Sequence, residues 1–239
     1  MAEKIVEQAI TKGQKAGDFA RSDNKDWWDR QNQNFFKNWT ELASGKGGVA
    51  LVFGWAVAEA TFWPVIPDFV LAPLAAVNQQ KSLRLLAASA CGSALGSLLL
   101  FAFTRRNPAK TRALLKKLPL VHAYHFEQIE HKLTKDWSKT LLMQPWSGVP
   151  AKIVVAVGAE KSLLDWWKLP LLMLSRTVRM ALVVGIARVA GRVLRRPLCK
   201  SSLVVFFLYL IFFIPVWWQI VKDRSKNLKK IPERKLDSL

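Results

Sequence analysis

The sequence predicts an all-α integral membrane protein, a helical bundle with two proline-broken re-entrant hairpins and accompanying interfacial amphipathic helices. Three observations lead there. Charged and apolar residues are segregated along the chain instead of being interleaved. Between Arg84 and Arg105 lies a stretch of about 20 residues without a single charge, the length that crosses a bilayer. Two other apolar segments are each cut by prolines and carry ionisable side chains.

The segregation decides how the charge is read. The chain has 239 residues and a formal net charge of +19, which in a soluble protein points to nucleic acid. Yet 51% of its residues are hydrophobic and 11 are Trp. The charges gather in the N-terminal stretch, in 105–139, in 188–200 and in the tail after Trp218. A soluble basic protein mixes charge with apolar residues along each amphipathic helix. Separation is what a bilayer demands, and basic clusters beside apolar spans suit anionic headgroups. Membrane lipids are therefore the expected partners, and nucleic acid is not. Cys91 and Cys199 lie far apart, which indicates no disulfide framework and is compatible with a reducing interior. The opening MAEKIVEQAITKGQ has no continuous apolar core and no small-residue cleavage site, so no cleavable signal peptide is expected.

In chain order, three regions follow: 1–46, 47–191 and 192–239. In the first, Trp28, Phe35, Trp39 and Leu42 step by seven, four and three, which places them on one helical face away from Asp29, Arg30, Asn32 and Lys37. Such a helix either lies in the headgroup region or packs on the bundle. The apolar run from Gly47 is too long for one straight span and is broken by Pro64, Pro67 and Pro73, with Glu59 and Asp68 inside it. It reads as a helix, a break at PVIP, and a second short leg. Leu83 to Thr104 is the cleanest span, and Ala88, Gly92 and Gly96 form a smooth ridge for close helix packing. From Arg105 to Lys139 the chain is basic and amphipathic, with Leu114, Leu118, Val121, His125, Ile129 and Leu133 as its stripe, interrupted by Pro119. A second broken segment, LLMQPWSGVPAKIVVAVGA, contains Pro145, Gly148, Pro150 and Lys152. Trp166 to Val189 is another span, with Arg176 and Arg179 near its middle, and Leu203 to Val221 is the last.

The two broken segments carry the chemistry. Short, interrupted apolar stretches in corresponding positions of two halves point to a site at their interface. Glu59 and Asp68 stand in the first half, Lys152, Arg176 and Arg179 in the second. An ionisable group in hydrocarbon costs about 2.5 kcal/mol or more, so these charges are expected to converge. The prolines shape the hairpins.

The stretch EATFWPVIPDFVLAPLAAVNQQKSLRLLAASACGSALGSLLLF resembles the first block of the DedA superfamily (the VTT, or SNARE-associated, domain), and most closely its YqaA-type branch. There an acid precedes a PxxP hairpin and a Gly-rich helix follows. QPWSGVPAKIVVAVGA is similar to that branch's second hairpin, and the S-R-x-x-R step from Ser175 to Arg179 to its next helix. The likeness runs roughly from Gly47 to Gly191. It implies two re-entrant hairpins meeting at mid-bilayer and a role in moving lipids between leaflets. Members are assigned to translocation of polyprenyl-phosphate carriers in bacteria and to phospholipid scrambling in eukaryotes. The matching acids are Glu59 and Asp68, and the matching base is Lys152, where many members have arginine. Gln144 stands where an arginine often opens the second hairpin. The resemblance favours a multi-pass protein of the bacterial inner membrane and is compatible with a homo-oligomer. Lysine and arginines then supply the counter-charge for a phosphate headgroup, and Glu59 or Asp68 exchanges a proton to drive or gate the cycle.

Each residue also has a purely structural reading. Glu59 bridges Arg176 or Arg179 and locks the bundle; Asp68 caps a short helix leg; Lys152 snorkels to the headgroups. A non-transporting scaffold and a proton-coupled solute exporter are the rival functions. His122, His125 and His131, with Glu127 and Glu130, match no firm metal-ligand spacing. With no nucleophile elbow, Walker loop, HExxH or dinucleotide fingerprint, an enzyme is disfavoured and no cofactor is expected.

Overall fold

The computed structural model describes residues 25–118, 121, 123–195, 201–211, 214, 215 and 218. Among them every regular element is a helix and no strand forms. Helix α1 spans 25–44, α2 Lys46–Thr61, α3 Asp68–Val77, α4 Ser82–Arg106 and α5 Pro108–Lys116. Then come α6 Ala123–Lys135, α7 Trp137–Leu142, a 3-10 turn at Gln144–Trp146, α8 Ala151–Glu160, α9 Leu169–Val193 and α10 Ser202–Ile211.

The aromatic face of α1 packs on the bundle. Phe35 stacks on Trp39 with ring centroids 5.8 Å apart, and both rings meet Phe206 of α10. One expectation for α1 fails. Asn32, placed by spacing on the polar side, is buried: its carbonyl accepts from Ser202 Oγ at 2.7 Å and its side-chain oxygen from the Leu203 N–H at 3.1 Å. The amide caps the start of α10, a role that a hydrophobic period does not register. Between α1 and α2 the chain turns at Gly45. A Cβ on Gly48 would fall 2.2 Å from the Leu42 carbonyl oxygen, so the two helices meet there backbone to backbone.

Helices α2 and α3 are the two legs of the first broken segment. Pro67 has no N–H and cannot extend α2 through the turn. The Trp55 indole N–H donates to the Val65 carbonyl at 3.2 Å and ties the turn back to the helix it leaves. Inside α3, Pro73 withholds the N–H that the Phe69 carbonyl would receive. The Tyr209 hydroxyl of α10 donates to that carbonyl instead, at 3.2 Å.

Helix α4 lies along α2 through its small residues. Ser89, Gly92, Ser93, Gly96 and Ser97 are all buried. A Cβ on Gly92 would sit 2.4 Å from the Phe53 carbonyl oxygen, and one on Gly96 2.7 Å from both Ala60 Cβ and the Val57 carbonyl oxygen. The seam is thus a backbone-to-backbone contact of the kind that small-residue ridges permit.

In the basic region, Val121, His125, Ile129 and Leu133 are buried as their spacing predicts, together with Phe126. Leu114 is exposed and its neighbour Leu115 is buried in its place. Pro119 falls outside the described residues, and α5 and α6 are separate helices, so one period does not carry across the break between them. The Asp136 side chain accepts from the Lys139 N–H and caps α7. That N–H, and next the Ser138 hydroxyl, hold its carboxyl below the usual range.

From Ala151 to Ala159 every residue of α8 is buried, an apolar rod enclosed by α4, α5 and α6. Around it lies one core cluster, with Phe126, Leu141, Ile153 and Leu172; a second gathers Leu71, Leu74, Leu85, Met180 and Val184. Helix α9 runs past both. Helices α4 and α9 are long and apolar enough to cross a membrane. The third expected span is continuous only over Ser202–Ile211 among the described residues.

The α2–α4 seam makes a direct prediction. Gly92→Ala and Gly96→Ala should each lower stability in detergent by about 1–3 kcal/mol, because backbone must shift to admit the methyl group. Gly54→Ala, where a Cβ meets nothing within 4 Å, should be neutral or slightly stabilising in the same thermal-unfolding measurement.

Candidate functional site

Where the two broken segments face each other, the bundle encloses a cavity of about 340 Å³. The first segment contributes Glu59, Pro64, Pro67 and Asp68; the second contributes Gln144, Pro145, Pro150 and Lys152; α9 contributes Arg176, Arg179 and Met180. Five ionisable residues spread over more than a hundred positions of sequence therefore line one space. The glycines of the α4 ridge lie elsewhere, in the seam with α2.

Local structure explains the convergence. Glu59 occupies the last turn of α2 and Asp68 the first position of α3, so the proline turn between them holds both acids at the same level. Arg176 and Arg179 are three residues apart and share one face of α9. They pair in order. Arg176 binds Glu59 through Nη2, and Arg179 Nη2 binds Asp68 at 2.5 Å. The first pair is enclosed, with side chains 10% and 9% exposed, whereas the Arg179 side chain is 37% exposed. Arg176 Nε is buried and donates to no group in the structure. The Asp68 carboxylate makes no capping bond to α3, contrary to the structural reading of its position, because Arg179 takes it.

Lys152 does not snorkel outward. It is 4% exposed, and its ammonium donates to the Trp63 carbonyl at 2.6 Å. That carbonyl lies in the proline turn between α2 and α3, outside both helices and their hydrogen bonds, so the lysine of the second segment completes the proline turn of the first. Lys152 forms no ion pair with a described residue, and an ammonium carries three donors. With both acids and all three basic groups ionised, the lining carries one net positive charge.

Gln144 is buried and donates from Nε2 to the Val149 carbonyl at 2.8 Å. It braces the 144–149 loop without adding charge. Charge and proline pattern assign Trp63 no role, although a carbonyl stranded between two broken helices needs a donor. Met180, also missed, comes one α9 position after Arg179 and carries no polar signal. Among the described residues no group of three or more His, Cys, Asp or Glu is placed to hold a metal ion; His122 lies outside them and His125 is packed in the core.

No family model matches the chain, and no curated protein or solved structure matches it.

The two ion pairs should differ in weight. Glu59→Ala leaves Arg176 enclosed without its partner and should cost about 3–5 kcal/mol in chemical denaturation in micelles. Asp68→Ala leaves Arg179 a route to water and should cost about 1 kcal/mol. Glu59→Leu combined with Arg176→Met should recover most of the loss seen in Glu59→Ala.

Proposed function

We propose that this chain is a multi-pass membrane protein of DedA-superfamily type that moves a phosphate-bearing lipid between leaflets through the cavity between its two proline breaks. The observation that carries the reading is the meeting of Lys152, Arg176, Arg179, Glu59 and Asp68 around one space bounded by both breaks. The two broken segments act as re-entrant hairpins, since interrupted backbone at membrane depth survives where protein or a water-filled cavity covers it. Support for the membrane setting comes from the two long helices. Leu174, Val178, Leu182, Ile186, Val189 and Val193 form an exposed apolar stripe along α9, and Leu95, Leu98, Leu99 and Phe103 do so on α4. Only 28% of the apolar window in α9 is buried, where the core helix of a soluble protein is mostly buried. On the strength of that resemblance, the setting proposed is a bacterial inner membrane.

The mechanism is an exchange of partners. A phosphate that has entered the cavity binds the Lys152 ammonium, because that cation is paired with no carboxylate among the described residues. It then draws a guanidinium from its acid, since arginine binds phosphate with two parallel N–H bonds. The carboxylate left behind in a low-dielectric site takes up a proton, and it releases the proton when the arginine returns. Protons are thereby coupled to lipid passage, with Glu59 and Asp68 as the groups that exchange them.

A second reading rests on a specific observation: both acids are already paired, as a non-transporting scaffold would have them. The two readings separate in proteoliposomes. Leaflet-specific quenching of labelled phospholipid or polyprenyl phosphate should show movement by the wild type, reduced at least about tenfold, or about 1.4 kcal/mol in barrier, in Glu59→Gln and Lys152→Ala at matched insertion. The charge swap Glu59→Arg with Arg176→Glu should restore folding without restoring movement. Full lipid movement in Glu59→Gln and Lys152→Ala, or none from folded wild type with either lipid, would overturn the transport reading.

A further inference from the structure

Beside the central cavity, and separate from it, a groove runs between α1, α3, α9 and α10. Its deeper part is an apolar cavity of about 210 Å³, walled by Phe36, Trp39, Pro73, Ala190, Phe206 and Tyr209 among others. Its outer part is a polar space of about 530 Å³ lined by Thr40, Asn78, Gln79, Gln80, Arg192 and Arg195. The two parts share Phe36, Ala76, Val77 and Gly191, so one opens onto the other. The backbones of α9 and α3 close the floor: a Cβ on Gly191 would lie 2.1 Å from the Ala76 carbonyl oxygen.

The chemistry changes sharply along this groove. Over the last turns of α9 and the two residues beyond it, the wall passes from Ala187 and Ala190 to Arg192 and Arg195. Among the described residues no carboxylate lines either part. Arg192 donates through Nε to Gln79 Oε1 at 3.0 Å, which orients its guanidinium, and neither arginine forms an ion pair with a described residue. Two cations without counter-ions at the mouth of an apolar slot complement one kind of molecule, with an anionic head and a hydrocarbon body.

We infer that this groove is a binding site for an anionic acyl lipid, its chain in the slot beside Phe206 and its phosphate on Arg192 and Arg195. The lipid is a resident one that ties α10 and α1 to the bundle, distinct from any lipid that passes through the central cavity. Arg192 and Arg195 sit at the end of a helix long and apolar enough to span a bilayer, where headgroups would be met.

The test is native mass spectrometry of the full chain in detergent, titrated with phosphatidylglycerol or phosphatidylcholine. Wild type should retain phosphatidylglycerol at least about tenfold more tightly than phosphatidylcholine, as two basic contacts to an anionic head would give. Arg192→Gln with Arg195→Gln should lose that preference, while Lys110→Gln with Lys116→Gln, which removes two exposed charges elsewhere, should keep it. Ala190→Phe, which fills the slot, should weaken retention of both lipids while the protein still elutes as a folded species. Equal retention of the two lipids by wild type, an unchanged preference in the double arginine variant, or a dimer formed without lipid that Ala190→Phe abolishes, would overturn the inference. Because binding is read in detergent, the result does not depend on whether the protein transports anything.

Discussion

The pairing of Glu59 with Arg176 and of Asp68 with Arg179 is the constraint on which the arrangement of this bundle depends. Charges among apolar helices are tolerated as partners: removing Glu59 would leave Arg176 enclosed and uncompensated, while Arg179, more exposed, keeps a route to water. The pairs fix α9 against α2 and α3 at a definite rotation, because only one face of α9 presents Arg176 and Arg179 together. They also fix the depth of the first proline turn, whose two ends carry the acids. Replacing both pairs by apolar residues would leave the helices able to pack. It would remove the polarity from the cavity, which is why the ion pairs belong to function as much as to stability in the proposed scheme.

Prolines supply the second layer of the design. Pro73 inside α3 orphans the carbonyl four residues back, and the break at Pro64–Pro67 leaves the Trp63 carbonyl stranded between two helices. At Trp63 the acceptor is met by Lys152 of the second broken segment, and at Phe69 by Tyr209 of α10. The breaks that shape the cavity therefore also create the contacts that draw distant parts of the chain onto it. An orphaned backbone group in an apolar setting costs enough to select such partners. Lys152 completes the turn, and among the described residues it pairs with no carboxylate.

Much of this was legible in the sequence, and the residues show why. The stretch between Arg84 and Arg105 and the Gly92–Gly96 ridge announce α4 and its close packing, because composition and period are local properties. The breaks at Pro64–Pro67 and Pro145–Pro150 are local too, and Glu59, Asp68, Lys152, Arg176 and Arg179, the charges singled out with them, all line the cavity. What period could not reveal was partnership. Asn32 reads as polar and exposed, and it is buried because α10, far along the chain, needs a cap. Asp68 reads as a cap at the start of a helix, but a guanidinium on α9 competes for it. Lys152 reads as long enough to reach solvent, yet an orphan carbonyl across the cavity holds it inside. Leu114 loses its place to Leu115 because the stripe was drawn through a break between two helices.

At the centre of the account stands a hydrated, charged cavity inside a bundle whose outer face meets lipid. Cysteine accessibility tests it most directly. In a background with Cys91→Ala and Cys199→Ser, Ile66→Cys places a thiol on the cavity wall and Leu182→Cys one on the exposed stripe of α9. In native membranes a membrane-impermeant maleimide should label Ile66→Cys and leave Leu182→Cys unmodified until detergent is added. Ready labelling of Leu182→Cys in intact membranes, with Ile66→Cys inert, would place water on the outside of the bundle and none within, and would contradict the account.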